Sequence, residues 1–253
     1  MPHISYSVLK NWDHCPFYHK LVYLDKVTKF QGNEYTAFGN AIHDVCEKKL
    51  LKEEVDAESF FIEEFKKCLK ELESKSVEFN IENVKKMVPQ GVAILPEIEP
   101  ALKEYFEDFE VFSTEELLMV PIEGTGYNFK GYIDAVIKVG DTYHIVDWKS
   151  CSWGWNAKRR SEPITTYQLT LYKKFFCQKH NIDPKNVETH FALLKRTAKE
   201  NRVEIFRVTS GERKTENALK LLEKALYNIA KGKHIKNRLS CYRCDLHKTK
   251  HCP

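Results

Sequence analysis

Residues 131–150, GYIDAVIKVGDTYHIVDWKS, decide the reading of this chain. Ile133–Val139 and Thr142–Trp148 are rich in β-branched and aromatic residues and flank Gly140-Asp141, so they predict a β-hairpin. Glycine in the first position of a two-residue loop is the preference of a II′ turn. That turn pairs Val139 with Thr142, and the same register sets Asp134 directly across from Asp147. Lys149 shares a strand face with Asp147, because side chains alternate along a strand. Like charges facing each other across a ladder are destabilising. Two carboxylates meeting beside a lysine therefore call for a divalent cation. Mg²⁺ takes oxygen ligands and keeps several waters, so two carboxylates and a carbonyl suffice to hold it. Asp134 and Asp147 are the predicted ligands. The bland alternative for the hairpin alone is a surface ladder with ordinary charges.

Outward from the hairpin, residues 5–25 predict helix, broken at Cys15-Pro16 because proline restricts the residue before it. Residues 36–53 predict a second helix with Phe38, Ile42, Val45 and Cys46 on its apolar stripe. Residues 57–110 are helical and highly charged, with Phe61, Phe65, Leu69 and Leu72 at helical spacing. Pro89, Pro96 and Pro100 punctuate the second half of that stretch. Strands are expected at 115–123, 127–139, 142–149, 187–195 and 202–208. Between them a loop, 150–164, holds Trp153 and Trp155, and Thr165 or Thr166 caps a helix to His180. A helix over 211–231 carries Ala218, Leu222, Ala225 and Ile229 on one face. The expected architecture is α/β: a mixed central sheet flanked by helices, in one domain over 1–253, with a helical insertion over 54–112 and a cysteine-rich segment at 232–253.

The 253 residues carry 40 Lys and Arg against 36 Asp and Glu, a net charge of +4. That balance is too mild to argue for nucleic acid, but the distribution is more informative. Lys158, Arg159 and Arg160 follow the DWKS strand, and the tail carries Lys231, Lys233, Lys236, Arg238, Arg243, Lys248 and Lys250. Such clusters can track a phosphate backbone or form a solvated face. No apolar run approaches the ~20 residues of a membrane helix, and the N-terminus has no signal-peptide pattern. The expectation is a soluble, intracellular, cytoplasmic protein.

Eight cysteines in an intracellular chain argue against a disulfide framework. Cys46, Cys68, Cys151 and Cys177 form no pattern and suit small apolar positions. Cys241, Cys244 and Cys252 do form one, a CxxC with a third thiol close by, and Cys15 before Pro16 is the nearest patterned fourth. Four cysteinates suit a [4Fe–4S] cluster or Zn²⁺, and for zinc His247 or His251 could replace a cysteine. Such a clip would join the first helix to the tail. Gly39-x-x-x-His43 lies on the second helix, with the histidine beside the apolar stripe; Gln168 and Tyr172, four apart, share a helix face. Glu116 lies on the strand before the hairpin and is a weaker candidate for the metal site. Each of these also has a plain structural reading.

ID-x(n)-DWKS resembles the PD-(D/E)XK nuclease signature. SYSVLKNWDHCP (5–16), FGNAIH (38–43), QLTLY (168–172) and CYRC…C (241–252) resemble, in order, the motifs of its RecB-like exonuclease branch, of the iron–sulfur type found in phage and CRISPR-associated nucleases. The resemblance implies a restriction-endonuclease-like core and a Mg²⁺- or Mn²⁺-dependent DNA exonuclease active in recombination, repair or phage and CRISPR DNA processing. It implies that the Trp148 carbonyl completes the metal ligands, that His43 binds metal or substrate, and that Lys149 activates the attacking water. It further implies that Gln168 and Tyr172 contact substrate or brace the site, and that Cys15, Cys241, Cys244 and Cys252 hold a [4Fe–4S] cluster. The third cysteine spacing is longer than that branch leads one to expect. The expected partner is DNA, single-stranded or at duplex ends, with any helicase or recombination partner supplied in trans, since no P-loop is visible. Two other classes compete: a non-catalytic nucleic-acid-binding or assembly subunit on the same fold, and a zinc protein in which only the tail matters.

Overall fold

The computed structural model describes residues 1–28 and 30–253, without the side chain of Arg243; that residue of the basic tail thus lies outside the described residues. A short strand, β1 (His3–Ser5), leads into α1 (Tyr6–His14), where the Ser5 hydroxyl caps the helix by accepting the Val8 N–H. Cys15-Pro16 ends α1 as expected. Proline then opens α2 (Pro16–His19), which continues into one wide π-type turn, Lys20–Leu24. Asn33 and Thr36 form a reciprocal capping box for α3 (Glu34–Leu50). Two further helices come next, α4 (Ala57–Ser74) and α5 (Ile81–Phe106).

The punctuation expected at Pro89, Pro96 and Pro100 does not occur, and α5 runs through all three. The reason is their placement. All three are solvent-exposed, while Met87, Ile94, Ile98 and Leu102 are buried on the other side. The carbonyls that each proline leaves without a partner can thus turn to water.

The strands β2 (Glu110–Ile122), β3 (Tyr127–Val139) and β4 (Thr142–Cys151) succeed α5. After β4 the expected loop contains a short helix, α6 (Ala157–Ser161). Then α7 (Pro163–His180) starts before Thr165 and Thr166, because Pro163 occupies its first turn with φ already set for a helix. Neither threonine is the cap. Thr166 instead donates back to the Glu162 carbonyl at 3.2 Å. The chain closes with β5 (Val187–Lys195), β6 (Val203–Arg207) and α8 (Glu212–Ala230), and then the tail with a 3₁₀ turn at Arg238–Arg243.

The sheet is mixed, six-stranded and flanked by helices, as expected. β2 runs antiparallel along the whole of β3 on one edge. The other edge of β3 is shared. β4 pairs antiparallel with Ala135–Val139, and β1 pairs parallel with Asn128–Lys130. Residues 131–134 lie in the gap between these two partners. β5 continues the sheet parallel to β4, and β6 closes it antiparallel to β5. The hairpin register is the expected one, with Val139 opposite Thr142, and only Gly140 of the two turn residues has positive φ (55°), as a II′ turn requires.

Each face of the sheet buries its own core. On one face α1, α7 and α8 cover Ile133, Val136, Ile145 and Phe191, with Leu169, Phe175 and Leu222 among the buried contacts. On the other, α3, α4 and α5 cover Ala135, Ile137, Val146, Trp148 and Ala192, with Phe38, Phe61, Phe65 and Ile94. The stripes read from the sequence are these contact faces: Phe61, Phe65, Leu69 and Leu72 are all buried, as are Ala218, Leu222 and Ala225, while Ile229 is half-buried. No described helix is long and apolar enough to cross a membrane.

Candidate active site at the gap between strands

Ala135–Val146 is the last cross-strand pair of the hairpin. One residue further, Asp134 and Asp147 meet where the ladder stops. Oδ2 of Asp134 accepts the main-chain N–H of Trp148 at 2.7 Å, replacing the ladder bond that would otherwise form there. Asp147 is 1% exposed. Its Oδ1 accepts from Gln168 Nε2 at 2.7 Å, and its Oδ2 pairs with the Lys149 ammonium. Gln168 also contacts the Tyr172 hydroxyl at 3.3 Å, one turn along α7. Gly131, in the same gap, makes room for that tyrosine: a Cβ there would lie 2.8 Å from the Tyr172 ring.

From the other side α3 brings His43 Nδ1 to 3.7 Å from Asp134 Oδ2. Gly39, one turn earlier on α3, faces β4, where a Cβ would meet the Ser150 hydroxyl at 3.4 Å. Asp134, Asp147, Lys149, His43, Gln168 and Tyr172 thus come together from four separate elements.

Burial dominates the electrostatics. It raises the Asp134 carboxyl above the ordinary range against the opposing pull of Lys149 and the Trp148 N–H. It pushes Asp147 up to about 6, with Lys149 opposing and Asp134 adding. Burial, then the Lys149 charge, holds His43 down to about 4, so its imidazole is neutral near pH 7 and free to act as a nitrogen ligand. Two buried carboxylates with one lysine between them are short of positive charge. A divalent cation supplies it, and the donor set of two carboxylate oxygens and an imidazole fits Mn²⁺ or Mg²⁺.

Glu116 does not reach this site. It is held by Lys179 and His180, the latter at 2.9 Å, on the α7 side of β2. Its neighbour Glu115, exposed on β2, is instead the one that feels the Asp134 charge. Glu115 has positive φ (46°), while the ladder to β3 keeps one register on either side of it. Its carboxyl is raised to about 7 by partial burial and by Asp134, Glu47 and Asp44 nearby. Lys10 of α1 was also missed. Partial burial, Lys149 and Arg159 lower its pKa, so it belongs to the same charged neighbourhood. Its place inside the SYSVLKNWDHCP stretch was the available signal.

Beyond Lys149 a cleft opens, lined by Tyr35, Lys86, Gln90, Ser152, Arg159 and Arg196. The Arg196 guanidinium lies over the rings of Tyr35 (5.1 Å) and Phe38 (5.6 Å). Of the basic triplet, Lys158 and Arg159 are exposed, and Arg159 stacks on Trp155 at 4.5 Å. Arg160 is occupied: it bonds Glu204 at 2.6 Å and the Trp155 carbonyl at 2.8 Å, and lies over Phe206. The tail residues Lys231, Lys233, Arg238, Lys248 and Lys250 are exposed, and Lys236 is half-buried over Phe17.

Cys15, Cys241, Cys244 and Cys252 line one cavity, with His14 and His247 also at its wall. Cys15 Sγ accepts the N–H groups of Tyr18 (3.5 Å) and Asn237 (3.3 Å). The tail is clasped to α1 besides: Asn237 and Ser240 side chains donate to the His14 carbonyl at 2.8 and 2.6 Å. Four thiol side chains around one space, one of them already receiving N–H donors, fit a thiolate-bound metal or cluster. Cys46 and Cys177 are buried, and Cys68 and Cys151 half-buried, apart from this set.

The chain belongs to the PD-(D/E)XK nuclease superfamily, whose family pattern matches residues 3–249. Among solved structures, a "Putative exonuclease" from Eubacterium rectale is similar in fold, with a TM-score of 0.63 over 96% of this chain and 86% of that one, at 17% identity. A structure described as SSO0001 aligns at a TM-score of 0.36 and 14% identity, over 79% of this chain and 88% of that one. No curated protein matches the chain.

Proposed function

We propose that this member of the nuclease superfamily is a divalent-metal-dependent deoxyribonuclease of the RecB-like branch, acting as an exonuclease. One observation carries the reading: Asp134, Asp147 and Lys149 converge in the gap beside β3, with buried carboxylates that a hydrogen-bonded fold alone does not require. A bound Mg²⁺ or Mn²⁺ would supply Lewis-acid stabilisation of the phosphate and an acidified water. Asp134 and Asp147 would hold it, with the Trp148 carbonyl and His43 as further ligands. Lys149, fixed by Asp147, is positioned to orient the attacking water and to balance charge on the phosphate. Gln168 fixes the other Asp147 oxygen, and Tyr172 steadies Gln168.

DNA, as a single strand or a duplex end, would run along the cleft past Arg159 and Arg196, where guanidinium and aromatic groups suit phosphate and base contacts. Cys15, Cys241, Cys244 and Cys252 would carry a [4Fe–4S] cluster, with Zn²⁺ as the alternative, that secures α1 to the tail. The domain reading is likewise a proposal: one nuclease domain over 1–253, with 54–112 inserted and 232–253 as the cluster segment. A cytoplasmic role in recombination, repair or phage and CRISPR DNA processing, beside a helicase or recombination partner in trans, completes it.

Digestion of end-labelled linear DNA, single- and double-stranded, beside circular DNA in Mg²⁺ and Mn²⁺ tests the proposal. Linear DNA should be degraded and circular DNA spared. Cutting of circles would reject the exonuclease part. No cutting of any substrate would favour the non-catalytic binding subunit.

A further inference from the structure

We propose that His144, Glu188 and His190 form a separate site for a zinc-class divalent ion, which fastens β4 to β5 beneath the end of α5. The site stands apart from the hairpin's acidic end and does not rest on the nuclease reading. His144 pairs with Glu188 in the parallel register and Val146 with His190, so all three side chains project to the α5 face. Asp147 and Lys149 use the opposite face of β4.

Three atoms converge. His144 Nδ1 lies 3.0 Å from His190 Nε2, and Glu188 Oε2 lies 3.8 and 3.9 Å from these two nitrogens. A point equidistant from all three, in their plane, is about 2.1 Å from each, which is the length of a zinc–nitrogen or zinc–carboxylate bond. Hydrogen bonding accounts for the histidine pair but not for Glu188 Oε2, which is too far from either nitrogen to accept from it.

Two of the three ligands are already tied by the atom that faces away from this point. His190 Nδ1 meets the Tyr105 hydroxyl at 3.3 Å, and Glu188 Oε1 accepts from Arg207 at 2.8 Å. Ligands of bound metals are braced in this way, with the outer nitrogen or oxygen tied so that the inner one is aimed. Phe106 packs edge-on against both imidazoles, at 5.2 and 5.3 Å, and limits their rotation. Two imidazoles and one carboxylate favour zinc, cobalt or nickel over magnesium. The His144 and Glu188 side chains are 13% and 26% exposed, so a water can reach the open side of the ion as a fourth ligand.

The experiment strips the full-length protein of loosely held metal and reloads it with Zn²⁺ alone. Bound zinc and melting temperature are then measured in the wild type and in Glu188→Gln, His144→Phe and Glu223→Gln. Glu188 is partly exposed, and phenylalanine preserves the ring packing at 144, so both variants keep the fold. Each should bind one equivalent of zinc fewer than the wild type and lose most of the zinc-induced rise in melting temperature. Glu223→Gln, exposed on α8 and outside both sites, should keep both. Zinc-edge anomalous diffraction from zinc-soaked wild-type crystals should place a peak among the three side chains. The absence of that peak, or zinc content and melting response unchanged in Glu188→Gln and His144→Phe, would overturn the proposal and leave a hydrogen-bonded cluster.

Discussion

Asp134 takes the backbone N–H of Trp148 at 2.7 Å, and in doing so replaces a rung of the sheet with a side chain. The cross-strand pairing ends beside that rung, where the buried carboxylates of Asp134 and Asp147 meet. The hairpin thus both builds the acidic pair and stops at it.

Replacing Asp134 or Asp147 by Asn should reduce cleavage to background, since each removes a proposed metal ligand. The apo protein should remain folded or melt higher, because one of two facing charges is gone. Lys149→Ala should lower the rate by about 10²–10⁴-fold, as for loss of a positioned proton-handling group, and leave Mn²⁺ binding largely intact. Nuclease assays beside melts with and without Mn²⁺ check all three; full activity in Asp134→Asn would exclude this site.

Metal affinity should depend on pH in a defined sense. Asp147, raised to about 6, carries a proton below that pH, and a proton competes with an ion. Mn²⁺ binding should be nearly constant above pH 7 and weaken by about tenfold per unit below 6. The same shift fixes the sign for stability. A carboxyl raised in the fold stabilises it when protonated, and that contribution is lost as pH rises through about 6. Asp147→Asn should therefore gain on the wild type in melting temperature as pH is raised from 4 to 7. A gap that stays constant over this range would contradict the buried-charge account.

Anaerobically purified protein should be brown and bleach on reduction. Cys15→Ser, Cys241→Ser, Cys244→Ser and Cys252→Ser should each lose iron and solubility, while Cys68→Ser, outside the cavity, should not. Colourless protein with zinc bound at these four residues would replace the cluster by a zinc centre.

The basic triplet should divide. Neutralising Lys158 and Arg159 should flatten the dependence of log K on log salt by roughly one for each phosphate no longer neutralised. Arg160→Ala should leave that slope unchanged and lower stability, because Arg160 is spent on Glu204 and Trp155. DNA titrations at several salt concentrations separate the two effects.

Gly91→Ala on α5 would drive a methyl to within 2.2 Å of the Phe61 ring and should cost about 1–3 kcal/mol in a denaturant melt. Activity of the folded fraction should be unchanged, since Phe61 lies in the α3–α5 core, away from Asp134 and Asp147.

Legibility in the sequence came from period and spacing. The register of 133–148 rests on one turn dipeptide, and the core stripes of α4 and α8 on helical repeats. The illegible parts depend on local exceptions. Glu115 comes under the Asp134 charge at a left-handed backbone residue that strand periodicity cannot foresee. The prolines of α5 are tolerated because they all fall on its solvent side, which is known only once the helix has been packed. Arg160 has the look of a DNA contact until Glu204, on a strand far along the chain, takes it up. His144 and His190 draw no attention because nothing in their sequence spacing shows that β4 and β5 are neighbours.

The clasp between His14, Cys15 and Asn237 also has a consequence in time. These partners are separated by 222 and 223 positions. At typical synthesis speeds of about 5–20 residues per second, α1 leaves the ribosome about ten to forty seconds before the residue that fastens it exists. During that interval the nascent chain can form the hairpin and the α3–α5 layer, but α1 has no anchor at its Cys15 end. Completion of this end of the domain, and with it any metal or cluster held there, therefore waits for the tail and follows the hairpin and the α3–α5 layer.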